Sequence, residues 1–357
     1  MKVLHIIDTL WLGGAQSVVK TYFEKQKENP DIFLYVLRQS EPQISIRHKN
    51  VRVHSSSSRY SFSPLKEIKD LVKRNSIDVL HCHLPRSQVF GYLLKRFYFP
   101  EIKLVFHEQG IIYDYPVILP FLFNLFKSRV NAFIVCSEDN KSALLQKVTN
   151  IEKKTFYLPN FVNTDIRLAV KQADKVGYRK ELSIKENDFV IGFAGRIVER
   201  KGWIELIDAA KILKNKNDIH WLISGIGPEE EKMVEMIKGS GLSSKVTYVG
   251  YVPDMVNFYA TIDSLVLPSH WEGMSLSQQE AIAVGLSVIV SENVGNTSQG
   301  YFATFKNKNP QDLAAKVLEL KLKMETDQFK PNEELYKLVE NNAQLFMAGL
   351  EQVYKSI

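Results

Sequence analysis

The chain has 357 residues, of which 45% are hydrophobic and 24% are charged, and its formal net charge is +6. This length exceeds one comfortable hydrophobic core and predicts two domains, while the ordinary composition excludes a low-complexity or disordered protein. No unbroken apolar stretch approaches the roughly 18 residues that a membrane-spanning helix needs, and Asp8 interrupts the first apolar run, which is untypical of a secretion signal. We therefore expect a cytoplasmic protein.

The positive charge is concentrated in the first half of the chain. Residues 1–165 contain 23 Lys and Arg against 15 Asp and Glu, whereas the remainder contains 23 against 25. This asymmetry indicates either an anionic partner for the first half or a solvated basic surface. Both interpretations stay open at this point.

Short apolar runs alternate with segments of helical periodicity along almost the whole chain. The predicted strands of the first half are, in order, KVLHIID, IFLYVL, VRVHS, DVLHCH, KLVFHE, NAFIVCS and KTFYLPN. A polar stretch over 161–189 interrupts the pattern, and we interpret it as a linker. The strands then resume with FVIGFAG, DIHWLISG, KVTYVG, DSLVLPS and LSVIVS.

Strands that are separated by helices predict parallel sheets with crossover helices. We therefore predict an α/β fold of two doubly wound, Rossmann-like domains that face a cleft, with ligands beyond the carboxyl ends of the strands. The predicted domains are residues 1–165 and 166–335. A C-terminal helix over 336–357 has no strand after it, and we expect it to pack on one of the domains, with the N-terminal domain as the candidate.

Paired glycines, Gly13 and Gly14, separate the first strand from the first helix. Glycine lets a backbone approach a ligand closely, and the helix that follows offers free N–H groups to an anion. A simple tight turn explains the same pair, and the third glycine of the dinucleotide fingerprint is missing. The pair alone leaves both interpretations open.

The first strand of the second series ends in GRIVERKG, which places Arg196 and Lys201 just before a helix. Two cations beside the positive end of a helix are unfavourable unless an anion lies between them. A diphosphate would suit both side chains, and a solvated charged turn is the alternative. In either case we expect both side chains to be exposed when no ligand is bound.

Two carboxylates, Glu272 and Glu280, lie eight positions apart in PSHWEGMSLSQQEAIAVG. On one helix they would be about 12 Å apart along the axis, which suits the carboxyl pair of a glycosidase poorly. We predict that Glu272 lies in the loop before a helix and that Glu280 lies about two turns inside it. Two contacts with one long ligand suit this arrangement, and the backbone of the intervening GMSL segment offers a further anion or hydroxyl site.

Two histidines, His81 and His83, lie two positions apart on a predicted strand. We expect their side chains to point to opposite faces of the sheet, one into the core and the other towards the cleft. That arrangement argues against a metal site formed by the pair.

The order and spacing of these motifs resemble the retaining glycosyltransferases of family 4, which have the GT-B fold. The resemblance rests on GGA, GRIVERKG, GYVPD, PSHWEG and two glutamates with seven residues between them, and it extends over almost the whole chain. Weaker marks in the first half are DVLHCHLP, VFHEQG and LPNFVN.

The resemblance implies a role for each matching residue. Arg196 and Lys201 would neutralise the diphosphate leaving group, and the catalytic residues would be His107 and Glu272, with Glu272 bonded to the transferred sugar. The other implied contacts are Gly13 and Gly14 at the diphosphate and anomeric carbon, Gly273, Met274, Ser275 and Leu276 at the sugar, Glu280 at the ribose, Tyr251 at the base, and Trp11 and His83 on the acceptor side.

The implied reaction moves a sugar from a nucleotide-diphosphate sugar, with a UDP-sugar favoured, to a glycan or a lipid-linked glycan. Residues 1–165 would bind the acceptor and residues 166–335 the nucleotide sugar. We expect no metal and no other cofactor, because fixed cations and helix N-termini can stabilise the departing diphosphate. Consistently, the chain contains no Asp-x-Asp sequence, the metal-binding motif of the other common glycosyltransferase fold. We expect no nucleic-acid partner.

The chain departs from the family pattern at ENVGNTSQG and at NFVN, which bears on the donor-side loop at 292–300 and on the choice of sugar. Two alternatives therefore stay open. One is a non-catalytic GT-B subunit that supports a partner enzyme, although a scaffold would not need the glutamates and cations of the implied donor site. The other is a nucleotide-sugar epimerase on the same fold.

Residues 92–103 and 117–129 interleave Lys and Arg with large apolar side chains. This mixture is typical of a surface that rests on anionic lipid, and it also suits a face that packs inside the domain. Because enzymes of the family often extend lipid-linked glycans, we expect peripheral association with the inner face of the cell membrane. The expected contacts are Lys95, Arg96, Lys127 and Arg129.

Overall fold

The computed structural model describes residues 1–11, 13–41, 44–58, 60–109, 118–272, 275–294, 303–328 and 333–357. Gly273, Met274 and most of the 292–300 loop lie outside these ranges, so the predictions made for them lie outside the described residues. Two compact units are formed, one by Met1–Asn160 with Gln344–Ile357 and the other by Phe161–Ala343. The borders predicted from the sequence, after residues 165 and 335, lie close to these.

The first unit contains a seven-stranded parallel sheet in the order β3-β2-β1-β4-β5-β6-β7. Its strands are β1 Val3–Ile7, β2 Ile32–Val36, β3 Val51–Val53, β4 Val79–His83, β5 Lys103–Glu108, β6 Ala132–Val135 and β7 Thr155–Tyr157. Its helices are α1 Gly14–Lys25, α2 Pro64–Asn75, α3 Pro85–Phe97, α4 Ile118–Phe126 and α5 Glu138–Lys147. All seven strands coincide with predicted ones, because parallel strands that are covered on both faces form continuous apolar runs.

The second unit contains a six-stranded parallel sheet in the order β10-β9-β8-β11-β12-β13. Its strands are β8 Phe189–Ala194, β9 Ile219–Ser224, β10 Val246–Tyr248, β11 Ser264–Leu267, β12 Ser287–Ser291 and β13 Ala303–Phe305. Its helices are α6 Ile166–Gln172, α7 Lys175–Glu181, α8 Trp203–Ile212, α9 Glu230–Gly239, α10 Val256–Thr261, α11 Leu276–Ala283 and α12 Pro310–Glu325. The prediction from the sequence included every strand except the short β13.

The polar stretch over 161–189 is part of the second unit, so its interpretation as a linker is wrong. It forms α6 and α7, and Arg179 of α7 is 3% exposed. The Arg179 guanidinium donates to the Thr261 carbonyl at 2.7 Å and to the Asp263 carboxylate at 2.8 Å. These bonds satisfy a buried charge, and they explain why a segment with a polar composition packs against the domain.

The last helix, α13, spans Glu333–Ser356, and its second part belongs to the first unit. There the Tyr354 hydroxyl lies 2.5 Å from Nδ1 of His81, and the Phe346 ring stacks on His107. The C-terminal residues therefore return to the N-terminal unit.

Each sheet has one position where the order of its strands reverses. In the first unit β1 lies between β2 and β4, and in the second unit β8 lies between β9 and β11. Loops that follow neighbouring strands at such a position run in opposite directions and leave a crevice at the carboxyl edge of the sheet, where ligands of this architecture bind.

Candidate active site

The loops after β8 and β11 meet at the reversal position of the second unit. Nζ of Lys201 contacts Oε1 of Glu272, and the Ser269 hydroxyl donates to the same oxygen at 3.1 Å. Glu272 is 6% exposed. Two residues that the sequence separates widely, and that were assigned separate roles, therefore form a single ion pair.

Backbone contacts hold these two loops together. The His270 N–H donates to the Arg200 carbonyl at 2.9 Å, and the Arg200 guanidinium donates to the Trp271 carbonyl at 3.3 Å. Gly202 has a φ of +71°, and a Cβ there would lie 1.9 Å from the carbonyl oxygen of Pro268. Only glycine allows this approach, so Gly202 is required for the placement of Lys201 beside Glu272.

The expected exposure is confirmed for Arg196 and is wrong for Lys201. Arg196 lies on the surface, whereas the Lys201 side chain is 23% exposed and paired. Burial lowers the pKa of Lys201 from its usual value and the charge of Arg200 adds to this effect, while the contact with Glu272 favours the ammonium form. Of the two predicted cations, Arg196 is accessible and Lys201 is covered by its carboxylate partner.

Glu280 lies on α11, which begins at Leu276 after the N-cap Ser275, whose hydroxyl accepts from the Gln278 N–H. Glu272 precedes this helix, as predicted, and Glu280 lies about one turn inside it, where two turns were expected. The Tyr259 hydroxyl donates to Oε2 of Glu280 at 2.6 Å. The two glutamates therefore have different partners, a cation for Glu272 and a phenol for Glu280.

The turns after β8, β9 and β10 are joined through their backbones. The Gly225 N–H donates to the Gly250 carbonyl at 2.8 Å, and a Cβ on Gly225 would lie 1.8 Å from the carbonyl oxygen of Gly195. Tyr251, which follows Gly250, is 39% exposed. The turns that carry Arg196 and Tyr251 are thus neighbours at the same edge of the sheet as the Lys201–Glu272 pair.

One pair beside this site was missed in the sequence. His270 and Glu205 are 15% and 13% exposed, and Nε2 of His270 lies 3.0 Å from Oε1 of Glu205. The His270 carbonyl accepts from the side-chain amides of Asn293 and Asn307 at 3.2 and 3.3 Å. The position of His270 inside PSHWEG was the available signal, but its partner lies on α8 and could not be paired with it from spacing.

In the first unit, the residues predicted near the anomeric carbon lie after β1. Gly13 is the N-cap of α1 with extended backbone, and Gly14 is the first residue of the helix. Both are exposed, and Trp11 before them is half-buried. This placement fits an anion at the start of α1, and the roles of the three residues stay predictions.

Four histidines form a buried cluster on one face of the first sheet. The rings of His81 and His83 stack with centroids 4.4 Å apart and planes 8° apart. The expectation that they point to opposite faces is wrong, because side chains alternate along a strand and residues two apart share a face. His5 on β1 and His107 on β5 complete the cluster from the neighbouring strands.

Hydrogen bonds connect the cluster. Nε2 of His81 lies 3.1 Å from Nδ1 of His107, and Nδ1 of His5 lies 3.0 Å from Nε2 of His83. Burial lowers the pKa of His107 to about 3, and burial together with His107 lowers that of His5 to about 3. Burial also holds the pKa of Tyr354 well above its usual value. The Tyr354 phenol therefore stays protonated and the imidazole of His107 stays neutral, so the contacts of His81 with these two residues are hydrogen bonds between uncharged groups.

The geometry of this cluster does not suit a metal ion. Nitrogen atoms of His5, His81 and His83 lie within 4.8 Å of one another. However, an imidazole lone pair lies in the plane of its ring, and the stacked, nearly parallel rings of His81 and His83 direct their lone pairs into separate planes. These two nitrogens therefore cannot converge on one ion in this arrangement.

The cluster also bears on two predicted site residues. His107 is fully buried and His83 is 3% exposed, and both bond to other histidines. A direct contact of the His107 or His83 side chain with a ligand would therefore require a change in this packing. Their catalytic and acceptor-side roles stay predictions.

Comparison with known proteins gives two family matches that together span most of the chain. Residues 12–166 match the model described as Glycosyltransferase Family 4, and residues 174–344 match the model described as Glycosyl transferases group 1. The chain is 22% identical over 326 residues to the O-antigen biosynthesis glycosyltransferase WclY of Escherichia coli, with 88% of this chain and 87% of WclY covered. It is 25% identical over 317 residues to the Escherichia coli UDP-Gal:alpha-D-GlcNAc-diphosphoundecaprenol alpha-1,3-galactosyltransferase, with 83% and 80% covered.

Solved structures show the same fold at low sequence identity. Anabaena HepE in complex with UDP-glucose superposes with a TM-score of 0.80 at 17% identity, with 100% of this chain and 99% of HepE covered. WaaG, a glycosyltransferase involved in lipopolysaccharide biosynthesis, gives a TM-score of 0.69 at 14% identity, with 98% of both chains covered. With the family matches and the two parallel-sheet units, these similarities establish that the chain is a glycosyltransferase of family 4 with the GT-B fold.

Proposed function

We propose that this glycosyltransferase moves a sugar from a nucleotide-diphosphate sugar, with a UDP-sugar favoured, to a glycan or a lipid-linked glycan, with retention of the anomeric configuration. The observation that carries the proposal is the contact of Lys201 with Glu272 at the reversal position of the second sheet. It joins a cation suited to a diphosphate and a carboxylate suited to sugar hydroxyls. The UDP-glucose complex of HepE and the UDP-Gal donor in the name of the Escherichia coli galactosyltransferase support the choice of donor.

The proposed roles follow from the charge that develops when the sugar leaves. Breaking the bond between the anomeric carbon and the diphosphate places negative charge on the leaving group, which Arg196 and Lys201 stabilise. When a diphosphate takes the ammonium of Lys201, the Glu272 carboxylate becomes available to accept from a sugar hydroxyl. Glu280 bonds the ribose. Because side chains of this unit supply the positive charge, the proposed reaction requires no metal ion.

We also propose that the first unit rests on the cytoplasmic face of the cell membrane through α4. On this helix the side chains of Ile118, Phe121 and Leu125 are 56%, 63% and 58% exposed. An exposed apolar helix face beside basic residues is typical of a membrane-surface contact. Among the described segments, none of the helices has the length and apolarity to cross a membrane.

The structure changes the set of basic residues for this contact. Lys95 is 8% exposed, and its ammonium donates to the Asn131 side chain at 2.7 Å, so its expected role at the membrane is wrong. Nζ of Lys127 is held by the Thr149 carbonyl at 2.8 Å. Arg96 is exposed and Arg129 is half-buried. Arg96 and Arg129 are therefore the better candidates for lipid phosphates.

The decisive experiment is product analysis with isotope-labelled nucleotide sugars. The purified protein is incubated with UDP-glucose, UDP-galactose and their N-acetyl forms, with and without a diphosphoundecaprenol-linked sugar. The expected product is a glycan that is extended with retained configuration, as determined by NMR. Conversion of a nucleotide sugar into its epimer without an acceptor would indicate an epimerase. An unchanged donor under all conditions would overturn the proposed donor and acceptor.

A further inference from the structure

A buried tyrosine holds the carboxylate of Glu280. Tyr259 on α10 is 1% exposed, and its hydroxyl donates to Oε2 of Glu280 on α11 at 2.6 Å. Burial, followed by the charge of Glu280, raises the pKa of Tyr259 well above its usual value. The phenol therefore stays protonated and donates to the carboxylate throughout the neutral range.

The surroundings of Tyr259 make this donor rigid. Its ring packs edge-on against Phe258 with centroids 5.7 Å apart, and it belongs to the same apolar cluster as Ala281 and Ile282, which follow Glu280 on α11. A free glutamate side chain samples several rotamers, whereas one that accepts a short charge-assisted hydrogen bond from a fixed phenol is restricted to few. The bond thus sets the orientation of the Glu280 carboxylate before a ligand arrives.

We infer that Tyr259 is a positioning residue for the nucleotide, because it fixes Glu280 in the orientation that accepts the ribose hydroxyls. This inference rests on the proposed function, since the ribose contact of Glu280 is part of that proposal. Tyr259 itself does not touch the ligand and acts through Glu280. Pre-orientation of this kind strengthens binding because the ordering of the side chain is complete in the free protein.

The first test measures nucleotide affinity by calorimetry for the wild type, Tyr259→Phe, Glu280→Gln and the double variant. UDP, GDP and ADP are titrated in parallel, and the tightest binder is used throughout. Tyr259→Phe should raise the dissociation constant by up to about tenfold, the scale of ordering one side chain on binding, and Glu280→Gln should raise it at least as much. The double variant should bind the nucleotide with the affinity of Glu280→Gln, since Tyr259 is inferred to act on the ligand only through Glu280.

A matched control removes the same kind of bond elsewhere. Tyr35 in the first unit is also 1% exposed, and its hydroxyl donates to Glu67 at 2.7 Å. Tyr35→Phe should change thermal stability by a similar amount to Tyr259→Phe and leave nucleotide affinity unchanged. Tyr259→Phe removes only the hydroxyl and leaves the ring in the apolar cluster, and thermal unfolding confirms that each variant is folded before it is titrated.

A 2′,3′-dideoxy nucleotide distinguishes the loss of the ribose contact from a general packing defect, because a packing defect would lower the affinity for this nucleotide as well. Without ribose hydroxyls, the wild type and Tyr259→Phe should bind with equal affinity. Three outcomes would overturn the inference and leave the proposed function intact. The first is an undiminished difference in affinity between the wild type and Tyr259→Phe for the dideoxy nucleotide, and the second is a double variant whose loss of affinity is the sum of the two single losses. The third is an unchanged affinity of Tyr259→Phe when that of Glu280→Gln is weakened. An unchanged affinity of Glu280→Gln, or no binding of any of the three nucleotides, would overturn the ribose role of Glu280 in the proposed function and the inference with it.

Discussion

Nζ of Lys201 contacts Oε1 of Glu272, and the two residues belong to loops that follow neighbouring strands of one sheet. The carboxylate of Glu272 is 6% exposed, and Ser269 donates to the same oxygen. In the proposed reaction the diphosphate competes with Glu272 for Lys201. Lys201 is therefore expected to contribute both to the stability of the free protein and to donor binding, whereas Arg196 is expected to contribute to donor binding alone.

We expect Lys201→Ala and Arg196→Ala each to reduce transfer by two or more orders of magnitude, because each removes a cation that stabilises the leaving group. Only Lys201→Ala should also lower the free energy of unfolding, by about 3 kcal/mol, because it leaves a buried carboxylate without its cation. Arg196 is exposed, so Arg196→Ala should unfold like the wild type. Steady-state kinetics and urea unfolding measure the two effects.

A surface ion pair in the same unit gives the control for this prediction. Lys211 on α8 pairs with Asp208 at 2.9 Å and is 37% exposed. Lys211→Ala should leave both transfer and stability close to those of the wild type. Near-normal transfer in Arg196→Ala and Lys201→Ala would remove the diphosphate assignment.

The two glutamates should differ in what their removal changes. Glu280→Gln should mainly weaken nucleotide binding, whereas Glu272→Gln should mainly lower kcat with nucleotide affinity retained. The reason is that Glu272 is proposed to bond the transferred sugar and Glu280 the ribose. Calorimetry with the nucleotide and kinetics with the nucleotide sugar separate the two effects, and an equal loss of nucleotide affinity would show that this division is wrong.

Transfer should persist in excess chelator. In the proposed site Arg196, Lys201 and backbone N–H groups supply the positive charge that a divalent cation would otherwise provide. Initial rates are compared after dialysis against EDTA and after addition of manganese or magnesium. If transfer is lost completely and either metal restores it, the metal-independent mechanism is wrong.

The histidine cluster should make the protein less stable in mild acid. His5 and His107 have pKa values of about 3 in the folded protein, against 6.5 when unfolded. Between these values the unfolded chain binds more protons, so stability is fully present above pH 6.5 and is lost as the pH falls towards 3. Each of the two should lower the free energy of unfolding by about 2 kcal/mol between pH 7.5 and pH 5. Urea unfolding at both pH values measures the change, and equal stability at the two would contradict it.

Binding to anionic vesicles should depend on the apolar face of α4. Phe121→Asp should reduce salt-sensitive association with vesicles that contain phosphatidylglycerol, because it places a charge where a ring enters the headgroup boundary. Leu322 on α12 of the second unit is 61% exposed and gives a matched control, since Leu322→Asp should bind like the wild type. Cosedimentation measures the bound fraction. The membrane proposal fails if wild type and Phe121→Asp bind equally, or if neither binds at low salt.

Much of the fold could be predicted from the sequence, because strands covered on both faces are predominantly apolar. The runs at β2, β6 and β8 show this directly, and the helices between the strands require parallel pairing. The prediction was wrong over 161–189, where the polar composition indicated a linker. The stretch over 161–189 is polar, but Arg179 finds buried acceptors that spacing could not reveal. The prediction that His81 and His83 point to opposite faces was wrong for a geometric reason, since the alternation of side chains along β4 places residues two apart on one face.

The sequence by itself determined which residue types stand at the ends of the strands: Gly195 and Arg196 after β8, and Glu272 after β11. Only the tertiary structure decided which of them meet. The order of β9, β8 and β11 depends on how the whole sheet packs, and it brings Lys201 onto Glu272 across about 70 residues of chain. The bond from Tyr259 to Glu280 is of the same kind, because it joins two helices whose relative position is fixed by the apolar cluster beneath them. Local sequence specifies elements through propensity and periodicity, whereas contacts between distant loops follow from packing that minimises exposed apolar surface over the whole domain.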